Sequence, residues 1–183
     1  MDRSSGLVET RTPSLVGGWA LIVGAVFFAL FWTLAPTSLT DTIPWVPSLA
    51  VHGTSIVSLA IGLGLLARDL LRPPRPQSPA AVGAILAAIG SFAFFPLFSI
   101  GLGLVAIGLL RTGYPRPAVA SLAIGSAALL VVIVAQYLGT DGQVFGEDSP
   151  PFPLGLKLGF QASVILVAAS LVAIGRQFRR RTE

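Results

Sequence analysis

The chain has 183 residues, of which 54% are hydrophobic and only 11% charged, and its mean hydropathy is +0.82. A soluble domain carries about 25% charged residues, so this composition predicts a membrane protein, with a length that suits one domain. Cysteine is absent and histidine occurs once, which excludes disulfides, thiolate metal sites and a bis-histidine haem within one chain. The net charge of +4 does not indicate nucleic-acid binding, because the basic residues stand at the ends of apolar runs rather than in one patch.

The first apolar run covers residues 15–35 and follows a polar tail at residues 1–14, which we expect to be cytoplasmic. Its 21 residues exceed the roughly 7–15 of a signal-peptide core, so we interpret it as a spanning helix. Trp19 and Trp32 near its ends suit the two membrane interfaces. The loop at residues 36–47 carries Asp41 and no basic residue, which predicts an outside location.

The second predicted helix covers residues 48–67, and a basic, proline-rich segment follows at residues 68–79. Arg68, Arg72 and Arg75 predict that this segment is cytoplasmic. Its four prolines favour an extended polyproline conformation. We interpret it as a stiff linker on the lipid surface, with a ligand for a partner domain as the alternative.

Residues 79–110 form an apolar stretch without a charged residue, with arginines on both sides. As one helix it would be about 48 Å long, whereas a bilayer core is about 30 Å thick, and one crossing would separate the two basic clusters. Pro96 lacks an N–H group and disfavours helix at Phe95. The sequence therefore predicts a hairpin of two short segments, 79–94 and 97–110, with both ends cytoplasmic, and leaves open whether it spans the bilayer or is re-entrant.

The last two predicted helices, at residues 118–138 and 154–175, flank a second outer loop. That loop carries Asp141, Glu147 and Asp148 and no basic residue, and the chain closes with a basic tail at residues 177–183. Eleven of the twelve basic residues then face the cytoplasm, and Lys157 lies at the outer end of the last helix. The prediction is an all-α, polytopic integral membrane helical bundle in the cell membrane, with one domain at 15–176, six apolar segments and both termini cytoplasmic.

One part of the chain, residues 78–134, resembles a known family. The features that carry the resemblance are GAIL at 83–86, the break at Pro96, GLG at 101–103, GLLR at 108–111 and ASLAIG at 120–125. The stretch is similar to a small Gly- and Ala-rich bacterial membrane hairpin domain of unknown function. The resemblance implies the hairpin and implies no activity.

A few strongly polar residues lie inside the predicted membrane segments, all in the outer third. These are His52, Gln136, Tyr137, Lys157 and Gln161. Polar groups within membrane helices are functional candidates, so one hypothesis is an outward-facing cavity that binds an anionic or polar ligand. The alternative is structural: Lys157 extends to the interface, His52 lies among headgroups and Gln161 bonds a neighbouring helix.

Catalytic motifs are absent from the sequence: there is no P-loop, no H-E-x-x-H and no G-x-S-x-G. No acid lies within a predicted membrane segment, so a carboxylate proton relay is missing. We predict no catalytic residue, no metal site and no cofactor. The first hypothesis is a non-enzymatic scaffold or accessory subunit that contacts lipid and other membrane subunits or a second copy. The alternative is a small transporter or ligand-binding membrane protein.

Overall fold

The computed structural model describes residues 4–38, 45–71, 77–93, 95–139 and 153–180, with side chains from 15 to 33 in the first helix and from 50 in the second. This part of the chain is helical and contains no strand, as predicted. The helices are α1 Ser4–Ser38, α2 Trp45–Leu70, α3 Ser78–Ala93, α4 Phe95–Leu109, α5 Arg116–Gly139 and α6 Leu154–Arg180. Most of the two predicted outer loops, residues 72–76 of the proline-rich linker and the extreme termini lie outside the described residues.

The helices fall into two length classes. Four contain stretches long and apolar enough to cross a membrane, namely Leu15–Thr33, Ala50–Leu70, Arg116–Gly139 and Leu154–Arg180. The other two, α3 and α4, have 16 and 15 residues, about 24 and 22 Å, and are apolar but shorter than a bilayer core. These lengths and compositions fit a membrane-embedded helical bundle.

Three helices begin two or three residues earlier than the sequence predicts, and prolines account for the difference. Pro47, Pro96 and Pro117 lie in the first turns of α2, α4 and α5, where a missing N–H costs nothing because it has no intrahelical acceptor. The sequence predicts each of these three helices to start one residue after its proline. At the other boundaries, α6 continues to Arg180 since no helix breaker interrupts its basic end, and α1 begins at Ser4, within the predicted tail.

Each helix packs on the next in the chain, and α6 packs on α1. The contacts run antiparallel: within the hairpin, Gly83 meets Gly101 and Val105, whereas Gly90, further along α3, meets Phe98. Phe28 of α1 also reaches Phe98 of α4, with ring centroids 5.3 Å apart. The bundle therefore has two layers, α2–α1–α6 and α3–α4–α5, with α1 and α4 facing each other across the middle. The turn predicted near Pro96 is present.

Glycines set the closest helix crossings. A Cβ added at Gly62 of α2 would lie 2.7 Å from the backbone nitrogen of Leu21, and one at Gly83 would lie 2.6 Å from the carbonyl oxygen of Gly101. A Cβ at Gly175 of α6 would lie 2.7 Å from the carbonyl oxygen of Gly18. Small residues of this kind let backbones approach where lipid supplies no hydrophobic drive between helices.

The antiparallel order brings the described arginines to one end of the bundle, here called the arginine end. They are Arg68, Arg111, Arg116, Arg176, Arg179 and Arg180. At the opposite end the hairpin stops early: Phe95 packs on Trp32, yet α1 continues six residues further to Ser38, about 9 Å. The hairpin tip thus lies about 9 Å short of the end of α1. The polar residues singled out in the sequence lie in the half of the bundle that contains the hairpin tip.

Candidate functional site: an aromatic cleft at the hairpin tip

Aromatic rings from four helices converge at the hairpin tip. We call these rings, with the histidine among them, the aromatic cluster: Phe28, Phe31, Trp32, His52, Phe95, Phe98 and Phe160. Trp32 is central, because its ring meets Phe95 edge-on at 4.6 Å and Phe160 at 5.7 Å between centroids. Edge-to-face contacts at these distances are favourable, so the cluster joins α1, α2, α4 and α6.

His52 brings a polar group into this apolar cluster. Its ring stacks on Phe31 with centroids 4.3 Å apart and planes 23° apart, and it meets Trp32 edge-on at 5.7 Å. The Nδ1 atom of His52 is buried and has no hydrogen-bond partner among the described residues. A buried polar atom without a partner carries a desolvation cost of about 1–3 kcal/mol, so this nitrogen is the natural point for a polar ligand atom or a water.

A small cavity lies beside His52, between α1, α2, α3 and α4. It is lined by Phe28, Trp32, His52, Ser55, Ile56, Leu59, Gly90, Ser91, Phe95 and Phe98. The two serines are already used, since Ser55 Oγ donates to Gly24 O at 3.2 Å and Ser91 Oγ donates to Ala88 O at 2.7 Å. The free volume is ≈ 20 Å³, room for about one water molecule.

Gln161 and Lys157, predicted to share a face of α6, lie near the cavity but do not line it. Gln161 Nε2 donates to Thr33 O of α1 at 3.0 Å, one residue beyond Trp32, and so ties α6 to α1. Lys157 lies one turn nearer the helix start and is partly exposed. This bond to a neighbouring helix is what the structural alternative in the sequence analysis expects of Gln161, and it occupies the amide nitrogen.

The two predicted site residues on α5 face different ways. Gln136 is buried, with 2% of its surface exposed, and is engaged with a neighbouring group, whereas Tyr137 is 55% exposed. Of the five residues singled out in the sequence, His52 alone lines the cavity. The aromatic cluster could not be predicted from the sequence, because phenylalanines in apolar helices carry no signal that separates the bundle interior from the lipid face.

The lining of the cavity is mainly apolar, with a few polar groups. Among the described residues no group of three or more His, Asp or Glu side chains comes together. The cavity offers one imidazole, two engaged hydroxyls and several rings, an arrangement that can hold one polar atom among apolar groups. Among the described lining residues, His52 is the one titratable side chain.

No protein-family model, no curated protein and no solved structure matches this chain. The similarity of residues 78–134 to a bacterial membrane hairpin domain therefore stays a prediction, as do the hypotheses about function.

Proposed function

We propose that the chain is a multi-pass protein of the cell membrane, with six apolar helices and both termini cytoplasmic. Support comes from the charges of the described residues: six arginines lie at one end of the bundle, and Lys157 lies near the other. Lysine and arginine concentrate on the cytoplasmic side of membrane proteins. In this proposal α3 and α4 enter from the cytoplasm and return to it, as a hairpin shorter than the bilayer.

Within the membrane we propose a non-enzymatic role, as a scaffold or accessory subunit of a membrane complex. The observation that carries this proposal is that buried polar side chains mostly bond helix backbone. Ser55, Ser126, Ser163 and Ser170 are each buried and donate to a backbone carbonyl at 2.7–3.2 Å. Ser55 bonds across the crossing of α1 and α2, whereas the other three serines bond within their own helices. Hydroxyls so engaged already donate their proton and leave little for a substrate.

Photo-crosslinking in native membranes tests the scaffold role. A photoreactive amino acid at Val131 of α5, which is 67% exposed, samples the outer surface, and one at Val167 of α6, which is fully buried, is the matched control. We expect a discrete adduct with one membrane protein, or with a second copy of the chain, from Val131 and from equivalent exposed positions. Adducts with lipid alone from every exposed helix face would contradict a scaffold role.

A second function, ligand binding or transport, is favoured by one specific observation, the unpartnered Nδ1 of His52 beside a cavity. A ligand that supplies a hydrogen bond to this nitrogen would remove its desolvation cost. The test is the triple replacement of His52, Lys157 and Gln161 by Phe, Gln and Leu. Unchanged growth, transport and small-molecule binding in the triple variant would eliminate this candidate, whereas loss of one such property with the fold retained would support it.

A further inference from the structure

The crossing of α1 and α6 at the arginine end joins an aromatic ring to a cation. Gly18 and Gly175 let the two backbones meet, and the Cζ atom of Arg179 lies 4.1 Å from the centroid of the Trp19 ring. This is cation–π geometry. Trp19 is nevertheless 48% exposed, so the ring presents its other side to whatever surrounds the bundle.

Two further guanidinium groups lie within one turn of Arg179. Arg176 and Arg180 precede and follow it on α6, and both are exposed. Residues three and four apart share one side of a helix, so these cations border the same crossing as Trp19. Among the side chains that the structure describes, Asp69 of α2 is the one acid, against three arginines at the end of α6. The described part of this surface therefore has an excess of positive charge.

An apolar strip continues from Trp19 away from the arginine end. Val26 of α1 is 45% exposed and Ile165 of α6 is 54% exposed. Val26 lies two turns from Trp19 on the same side of α1, about 10 Å along the axis. The surface thus has cations at one end, a tryptophan next to them and the apolar strip beyond. This order matches a lipid, with its anionic headgroup at the cations and its acyl chains along the strip.

We propose that the exposed surface where α1 meets α6 binds one anionic phospholipid. Its phosphate pairs with Arg176 and Arg180, and an acyl chain lies on the strip of Trp19, Val26 and Ile165. A free phosphate would use the arginines but not the strip, which is why the proposal commits to a lipid. The inference rests on the proposed membrane location. Basic residues near a membrane surface contribute about 1 kcal/mol each toward anionic lipid, about fivefold in affinity.

Lipid-specific fluorescence quenching tests the site. The full chain is placed in nanodiscs of phosphatidylcholine with a minority of phosphatidylglycerol, and only one of the two lipids carries brominated acyl chains at a time. The difference in fluorescence between the native chain and W19F isolates the signal of Trp19. We expect brominated phosphatidylglycerol to quench Trp19 more strongly than brominated phosphatidylcholine at equal mole fraction.

Two charge variants test whether the preference for phosphatidylglycerol depends on Arg176 and Arg180. R176Q/R180Q removes the proposed headgroup contacts, and R111Q/R116Q removes equal charge from the turn between α4 and α5 at the same end. We expect the preference for phosphatidylglycerol to fall at least about fivefold in the first variant and to persist in the second. Size-exclusion chromatography verifies that both variants keep the native fold.

The outcomes separate this inference from the proposed location. Equal quenching by the two brominated lipids, or an equal loss of preference in both charge variants, overturns the lipid site and leaves the membrane location intact. Quenching of Trp19 by neither lipid places this ring outside the bilayer and overturns the proposed location together with the site.

Discussion

The contacts of α1 differ between the two halves of the bundle. Toward the arginine end, α1 crosses α2 and α6 on glycines such as Gly62 and Gly175, where a Cβ would collide with a neighbouring backbone. Toward the hairpin tip, in the aromatic half, α1 and α4 are held apart by rings such as Phe28 and Phe98, whose centroids are 5.3 Å apart. Glycine contact between α3 and α4 continues into this half, since a Cβ at Gly90 would collide with the backbone of Phe98. The cavity therefore lies where rings, and not backbones, fill the space between α1 and α4.

The largest expected effect comes from removing a ring at the centre of the aromatic half. Phe98 is 1% exposed and contacts rings of both α1 and its own helix. Phe98→Ala should lower the free energy of unfolding by about 2–3 kcal/mol, below the usual cost of a core Phe→Ala change, because lipid removes the transfer term and leaves lost packing. Unfolding titration in mixed micelles measures it.

The control for Phe98→Ala is Phe92→Ala, because Phe92 lies on the hairpin with 61% of its surface exposed. We expect the Phe92 variant to unfold within about 0.5 kcal/mol of the native protein, as exposed positions generally do. Equal costs at the two positions would mean that the rings do not hold the two layers apart.

A smaller effect is expected where α1 crosses α2 on a glycine. Gly62→Ala places a Cβ 2.7 Å from the backbone nitrogen and side chain of Leu21, so α1 and α2 must separate, at a cost of about 1–2 kcal/mol. Gly64→Ala on the same helix is the matched control, since nothing lies within 4 Å of its Cβ. The same unfolding titration compares them. If the two alanines behaved alike, close contact at Gly62 would not be a source of stability.

The smallest effect is expected at His52, whose imidazole places a polar atom among the rings of the aromatic cluster. His52→Phe preserves the stack on Phe31 and removes the unpartnered Nδ1, so stability should stay the same or rise by up to about 1 kcal/mol. His52→Ala, which also loses the ring contacts, should be clearly less stable. A phenylalanine variant as unstable as the alanine variant would show that the nitrogen is bonded after all.

The positions of the helices could be predicted from the sequence, whereas the residues that pack inside the bundle could not. Pro96 indicates the turn because it removes a backbone donor. Helices start two or three residues earlier than predicted where Pro47, Pro96 and Pro117 enter first turns, and the largest differences are the early start of α1 and the late end of α6. A glycine in the sequence does not by itself indicate a close helix crossing. A Cβ at Gly83 would collide with the neighbouring helix, whereas nothing lies within 4 Å of one at Gly155.

The aromatic cluster shows why the site was only partly predictable. A soluble helix marks its buried face by contrast with polar residues, but in a membrane both faces are apolar. His52 could be identified since a polar residue stands out in an apolar helix. Phe28, Phe98 and Phe160 lie far apart in the chain and meet only through the two-layer arrangement, which no local pattern encodes.

The central claim is that the chain turns back at the hairpin tip and returns to the arginine end before α5 begins. The natural chain has no cysteine, so a single introduced thiol reports its own side of the membrane. Gly113→Cys lies in the turn between α4 and α5, and Gly139→Cys lies at the opposite end of α5; both positions are exposed. The measurement is labelling by a membrane-impermeant maleimide in intact and permeabilised cells. The account predicts that Gly139→Cys reacts in intact cells and Gly113→Cys only after permeabilisation. Labelling of Gly113→Cys in intact cells would contradict it.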